Sequence, residues 1–277
     1  MKDYLQAGIQ KIADIPFYTE GPAIDSSGLF YCTTLSGGKI LQIDEHGHIV
    51  EWAESACPNG QIVMPNGDHL ICDSKLGVIK RFDAKGRFLK DETKICFAGR
   101  QTICLNDLVA DSKGNIFFTD SVRRKGAVLF LGNDGTERLI AEDLDYPNGL
   151  ALSIDENHLY VAESYRNRIL KIKLTGSELI AQPEVFARLP AHHSNKAEDN
   201  LPDGLTLDSE GNLYVAHYGM GRVQILSPSG DCVSSIEIPF PLASNLFFVG
   251  KNILYVTGGS AEPGPGAVVA VLFDRDN

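Results

Sequence analysis

The chain has 277 residues, with 25 Lys and Arg against 36 Asp and Glu, for a formal net charge of -11. That balance excludes nucleic acid and anionic lipid as main partners, since a polyanion would be repelled. No stretch approaches the roughly 18 uninterrupted apolar residues of a membrane-spanning helix. The opening MKDYLQAGIQKIAD also lacks a secretory apolar core, so a cytoplasmic protein is expected.

In chain order, one phrase recurs: apolar strand, polar turn, apolar strand. It runs Ala23 to Thr33 (AIDSSGLFYCT), Ile62 to Asp73 (IVMPNGDHLICD) and Leu108 to Asp120 (LVADSKGNIFFTD). It returns at Leu150 to Glu163 (LALSIDENHLYVAE), Leu205 to His217 (LTLDSEGNLYVAH) and Leu246 to Gly258 (LFFVGKNILYVTG). The turns are rich in Asp, Ser, Asn, Gly and Lys and the flanks in Val, Ile, Leu, Phe, Tyr and Thr, the chemistry of hairpins. A second hairpin signal follows most copies, starting at Ile40, Val78, Val128, Ile169 and Val223. Each period of roughly 40 to 50 residues thus holds about four strands, the length of a propeller blade.

The expected fold is therefore all-β: a six-bladed β-propeller of four-stranded blades around a central channel, as one domain over 1–277. A large β-sandwich would not explain six copies with the same internal grammar. The last period is one strand short, and Gly8 to Pro16 is expected to supply it and close the ring. Six cysteines, Cys32, Cys57, Cys72, Cys96, Cys104 and Cys232, form no CxxC pair and read as free thiols of a reducing compartment.

Just before the first strand of each copy stands a polar residue: Glu20, Asn59, Asn106, Asn148, Asp203 and Asn245. Innermost strands line the channel, so these residues are expected to converge on the axis as six equivalent positions. Asn-Gly and Asp-Gly also suit plain turns, but Glu20 is a poor turn residue and Asn106 precedes Asp107. All six offer oxygen acceptors, which suits a hard divalent cation. Ca2+ fits best, with Mg2+, Mn2+, Zn2+ or Fe2+ as the other candidates.

The motifs TEGP, LND, YPNGLALS and LPDGLTLD, the last followed by LYVAHYGMGRV, resemble the family of gluconolactonases, regucalcin (SMP-30) and calcium-dependent lactonases. The resemblance runs from Glu20 to the last blade, and its specificity lies in the combination. It implies a six-bladed propeller holding one catalytic divalent metal on Glu20, Asn106, Asn148 and Asp203, and hydrolysis of a small-molecule lactone. Asn59 and Asn245 are left as water-binding or supporting residues. Sugar-acid lactonases of this type carry an Arg two residues before the third-blade Asn; here that residue is Cys104, which favours a less polar lactone and leaves a sugar-acid lactone as the alternative.

Mechanistically, the metal would polarise the carbonyl and hold the attacking water, with Asp203 as catalytic proton acceptor and ligand together. Asn106 and Asn148 would also touch substrate. The second strand of each copy returns to the same face, so Asp73, Asp120, Glu163 and His217 are expected near the mouth, with Asp120 and His217 as substrate-binding candidates. The loop from Ser121 to Gly126 brings Arg123 and Arg124, and Arg124 is the further substrate-binding candidate. The polar loop from Ala191 to Asn200, with His192 and His193, is expected as a lid. The competing readings are an organophosphate or phosphoester hydrolase on the same centre, and a non-catalytic calcium-binding scaffold. A monomer or weak homo-oligomer is expected.

Overall fold

The structure, a computed structural model, describes residues 6–44, 46–174 and 182–274. Its hairpins form where the sequence places Asp and Gly. Asp111 Oδ1 accepts the N–H groups of Lys113 (2.9 Å) and Asn115 (2.8 Å), and Asp208 Oδ1 those of Glu210 (2.9 Å) and Asn212 (3.0 Å). Gly114 and Gly211 then turn the chain at φ +81 and +82, a conformation that a Cβ disfavours. Asp44 and Asp83 clasp outer hairpins in the same way.

Six antiparallel four-stranded sheets result. The first is Glu20–Ile24, Phe30–Thr33, Lys39–Ile43 and Ile49–Glu54; the second is Pro58–Val63, His69–Asp73, Val78–Phe82 and Phe88–Asp91. The third is Leu105–Ala110, Ile116–Asp120, Gly126–Leu131 and Glu137–Leu144; the fourth is Pro147–Leu152, His158–Glu163, Arg168–Lys173 and Glu184–Arg188. The fifth is Leu201–Leu207, Leu213–Tyr218, Arg222–Leu226 and Cys232–Glu237. The sixth takes Leu242–Val249, Ile253–Gly259 and Gly266–Phe273, and its outermost strand is Gln6–Ile15 from the other end of the chain.

Innermost strands touch in sequence, and Leu242–Val249 closes back on Glu20–Ile24, so the sheets form a six-bladed β-propeller. The ring is closed as the short last period required: Gln6–Ile15 runs antiparallel to Gly266–Phe273, from Gln6 opposite Phe273 to Ile15 opposite Gly266. Cores lie between neighbouring blades. One joins Phe117 and Val128 of the third blade to Leu150, Val161 and Leu170 of the fourth. Each such side chain contributes roughly 1.5–3 kcal/mol by leaving water.

A short hairpin, Cys96–Phe97 with Arg100–Gln101, stands between the second and third blades and carried no sequence signal. The turn expected after Ile169 falls in 175–181, outside the described residues. All six cysteines are free. No helix among the described residues is long and apolar enough to cross a membrane.

Candidate metal centre

Every blade carries a β-bulge where its innermost strand meets the channel. Glu20 pairs with Thr33, but Ala23 with Tyr31; Leu105 pairs with Asp120, but Leu108 with Phe118; the other four blades repeat the step. Two residues thus face one, which turns the extra side chain toward the axis. The register makes Asn59, Asn106, Asn148 and Asp203 equivalent. It corrects the expectation of six equivalent positions: Glu20 stands one residue earlier, level with Pro58, Leu105, Pro147 and Pro202. Asn245 stands one residue later, level with Gly60, Asp107, Gly149 and Gly204. Counting back from the apolar run misses this, because Gly-Pro separates Glu20 from Ala23 and Ile24 and two polar residues, Ser244 and Asn245, precede Leu246.

The shifted register explains the glycines of PNG and PDG. A Cβ on Gly60 would lie 2.3 Å from Asp107 Oδ1, and one on Gly204 would lie 2.1 Å from Asn245 Oδ1. Those glycines leave room on the axis for Asp107 and Asn245. Asn245 faces both Glu20 and Asp107, and its side chain favours the charged form of each. Burial pushes Asp107 up to about 6.

Glu20, Asn59, Asn106, Asn148 and Asp203 line a single cavity of about 240 Å³. The remainder of its wall includes four tyrosines, Tyr18, Tyr146, Tyr165 and Tyr218, and two further acids, Glu198 and Glu262. Among the described residues, no Lys, Arg or His lines it. A larger cavity, about 590 Å³, opens at the other end of the innermost strands, with Gln61, Asp107 and Asn245 on its wall.

Asn148 donates from Nδ2 to Ser164 Oγ at 3.3 Å, and Asn59 from Nδ2 to Ser74 Oγ at 3.1 Å. The Oδ1 atoms of both are buried without a hydrogen-bond partner. An unmatched buried acceptor costs about 1–3 kcal/mol, so two beside one cavity ask for a positive partner. Burial raises Glu20 well above the usual carboxylate range, and the charges of Asp107 and Glu262 add to it. Burial likewise raises Asp203, with Glu20, Asp107 and Glu262 contributing. Two carboxylates and amide oxygens are a donor set that could hold a hard divalent cation. Among the described residues no three His, Cys, Asp or Glu side chains cluster as a metal site; this set depends on amides instead.

Three predicted substrate contacts are not brought to this cavity. Asp120 is fully buried and accepts the N–H groups of Ile103 and Cys104 through Oδ1. Asp73 does the same for Ala56 and Cys57, and Glu163 for Asp145. These acids clasp the backbone leading to Asn106, Asn59 and Asn148. His217 is also fully buried, with Gln224 Nε2 3.3 Å from its Nδ1, and burial lowers it to about 4. Arg124 is exposed and lies off the wall; its neighbour Arg123 stacks over Tyr165 at 3.4 Å and pairs with Asp145 at 2.7 Å. His192 and His193 stack on each other at 3.9 Å, and from their loop only Glu198 lines the cavity.

Sequence reasoning missed the tyrosines and Glu262. A signal existed for the tyrosines: Tyr18 directly precedes TEGP, Tyr146 opens YPNGLALS, Tyr165 lies two residues past the second strand of its blade, and Tyr218 ends that of the fifth. Glu262 had none, being a lone acid in a Gly- and Pro-rich loop that reads as a turn.

The SMP-30/gluconolactonase/LRE-like region family matches residues 18–260. The chain belongs to this family. The lactonase drp35 of Staphylococcus haemolyticus is 31% identical over 240 residues, 83% of this chain and 72% of that protein. Matches to the drp35 lactonase of Staphylococcus aureus span 60% of this chain and about half, 54%, of that protein. Among solved structures, a gluconolactonase from Xanthomonas campestris superposes with a TM-score of 0.81 at 27% identity, covering 95% of this chain and 89% of that one. A calcium-binding protein, regucalcin, from Agrobacterium tumefaciens superposes with a TM-score of 0.77 at 18% identity, covering 97% and 94%. At that identity the likeness speaks for the fold of this SMP-30/gluconolactonase/LRE-like chain alone.

Proposed function

We propose that this chain is a metal-dependent hydrolase that opens lactones. The observation that carries the reading is the buried Oδ1 of Asn148, without a partner beside the buried carboxylates of Glu20 and Asp203. Glu20, Asn106, Asn148 and Asp203 would hold the metal, with Ca2+ the best match to an all-oxygen set. The names of its drp35 and gluconolactonase relatives support a cyclic ester as substrate.

When bound, the divalent cation supplies Lewis-acid polarisation of the lactone carbonyl. The chain does the rest. Asp203 accepts the proton of the attacking water, the water oxygen bonds to the acyl carbon, and the ring C–O bond breaks. Asp203 then passes that proton to the ring oxygen, giving an open hydroxy acid and restoring the carboxylate. Asn106 and Asn148 orient the reacting groups, and Asn245 holds Glu20 through its side-chain amide. The tyrosines and two leucines, Leu35 and Leu201, narrow the space available to bulk water.

The substrate is a lactone with fewer hydroxyl groups than a sugar-acid lactone. Cys104 replaces the Arg of the sugar-acid type, and four tyrosines form much of the wall. A phosphomonoester or phosphodiester is the weaker reading, because an anion would meet four carboxylates and, among the described residues, no basic side chain. A scaffold would have no use for buried acids and unpartnered amide oxygens on its axis.

The deciding experiment is a lactone panel followed by acid release, with and without EDTA. Turnover that EDTA and Asp203→Asn both abolish is expected. Full activity in Asp203→Ala would sink the mechanism. Metal bound at the centre with no member of the panel hydrolysed would favour the scaffold.

A further inference from the structure

Three segments meet on one side of the cavity. Tyr18 precedes the first blade, Tyr218 ends the second strand of the fifth, and Glu262 lies in the loop before the strand Gly266–Phe273. The backbone N–H of Tyr18 donates to the carbonyl of Pro263 at 2.9 Å. The Tyr218 hydroxyl donates to Glu262 Oε1, also at 2.9 Å. The two tyrosine rings meet edge to face with 6.2 Å between centroids. Each residue is thus fixed to another, and all three line the cavity of about 240 Å³.

Two features of this wall ask for a ligand. Tyr18 is 2% exposed, yet its hydroxyl has no hydrogen-bond partner. Buried hydroxyls are rarely left so, and a group seated in the cavity would supply the partner. Glu262, by contrast, belongs to an exposed loop, and its carboxylate faces a cavity whose wall has no Lys, Arg or His among the described residues. Of the four carboxylates there, Glu20, Glu198, Asp203 and Glu262, a divalent cation would balance two. Glu198 and Glu262 would remain as net negative charge beside aromatic rings, a setting that attracts an organic cation and repels an anion.

We propose that Tyr18, Tyr218 and Glu262 form a subsite for a protonated amine, so that the preferred lactones carry an ammonium group outside the ring. The ammonium donates to Glu262 and to the Tyr18 oxygen and packs against the Tyr218 ring. The choice of lactone rests on the hydrolase reading; the affinity for ammonium does not.

The test uses the full, calcium-loaded chain. Values of kcat/KM are compared for α-amino-γ-butyrolactone, at a pH where its amine is protonated, and for γ-butyrolactone. The amine-to-neutral ratio is expected to fall about tenfold in Glu262→Gln, the scale of one charge-assisted hydrogen bond, and severalfold in Tyr18→Phe. In parallel, propylammonium chloride is titrated calorimetrically into both proteins, with propanol as the neutral control. Propylammonium binding that Glu262→Gln weakens supports the subsite even where no lactone is turned over, in which case the hydrolase reading alone fails. Lactone turnover with the same ratio in wild type and Glu262→Gln overturns the subsite and leaves the hydrolase standing.

Discussion

The backbone N–H of Cys104 donates to Asp120 Oδ1 at 2.8 Å, two residues before Asn106. Ile103 donates to the same oxygen at 3.1 Å, and Arg100 Nη2 stands 3.4 Å from the other. Asp120 therefore holds the backbone that leads to Asn106 and does not line the cavity. Asp120→Asn keeps the shape but turns an amide toward groups that donate. Stability should fall by about 1–3 kcal/mol, the cost of buried donors losing a charged acceptor. Calcium affinity should weaken in step. Urea unfolding and calcium calorimetry check this; unchanged values in both would mean that the Asp120 carboxylate does not hold the backbone before Asn106.

Calcium should stabilise the whole propeller. At about a hundredfold excess over Kd, a ligand bound only by the folded state adds about 2.7 kcal/mol. For a chain of this size that amounts to a rise in Tm of about 5 °C. The rise should vanish with EDTA and in Asp203→Asn or Asn148→Ala, and persist in Arg124→Ala, whose side chain lies off the cavity wall. Differential scanning calorimetry with and without calcium reads all of these.

The fold was legible because it is written six times. Asp and Gly at fixed offsets make each hairpin, and the missing last strand pointed to the opposite end of the chain. The axial positions were legible in kind but not in register. Asn59, Asn106, Asn148 and Asp203 share one bulge position, whereas Glu20 and Asn245 sit to either side of it. A bulge adds one residue to a strand without changing its composition, so only the pairing reveals it. The strand-end acids were misread for a related reason. Being near the mouth, Asp120 was credited with reaching it, but a fully buried carboxylate first satisfies the nearest unpaired N–H groups.

His69 gives the fold a pH dependence unconnected with the centre. It is 1% exposed, flanked by Tyr31 at 4.6 Å and Trp52 at 4.3 Å, and burial lowers it from 6.5 to about 4. The unfolded chain therefore takes up this proton first as pH falls. The contribution is complete above about pH 6.5 and is lost progressively as pH falls toward 4. Between about pH 7 and about pH 5 the loss is about 2 kcal/mol. Urea midpoints of wild type and His69→Gln at both values isolate it, because other titrating groups cancel in the difference. Equal pH slopes in the two proteins would contradict the assignment.

Ring closure is the remaining dependency. Ile15 ends the strand Gln6–Ile15, is 2% exposed, and packs in the cluster that holds Phe30, Cys32, Leu41 and Val268. It thereby joins the sixth blade to the first. Ile15→Ala should cost about 2–5 kcal/mol, the usual loss for a buried aliphatic side chain and the cavity it leaves. Val50, on the outer strand of the first blade, is 56% exposed, and Val50→Ala should change stability by less than about 0.5 kcal/mol. Removing residues 1–15 goes further. It strips Gly266–Phe273 of its partner and leaves the apolar run AVVAVLF on an open sheet edge, which recruits other chains. Sedimentation should then show association that the full chain does not. A truncated chain that stays monomeric with an unchanged Tm would mean that the closing strand contributes little to holding the ring.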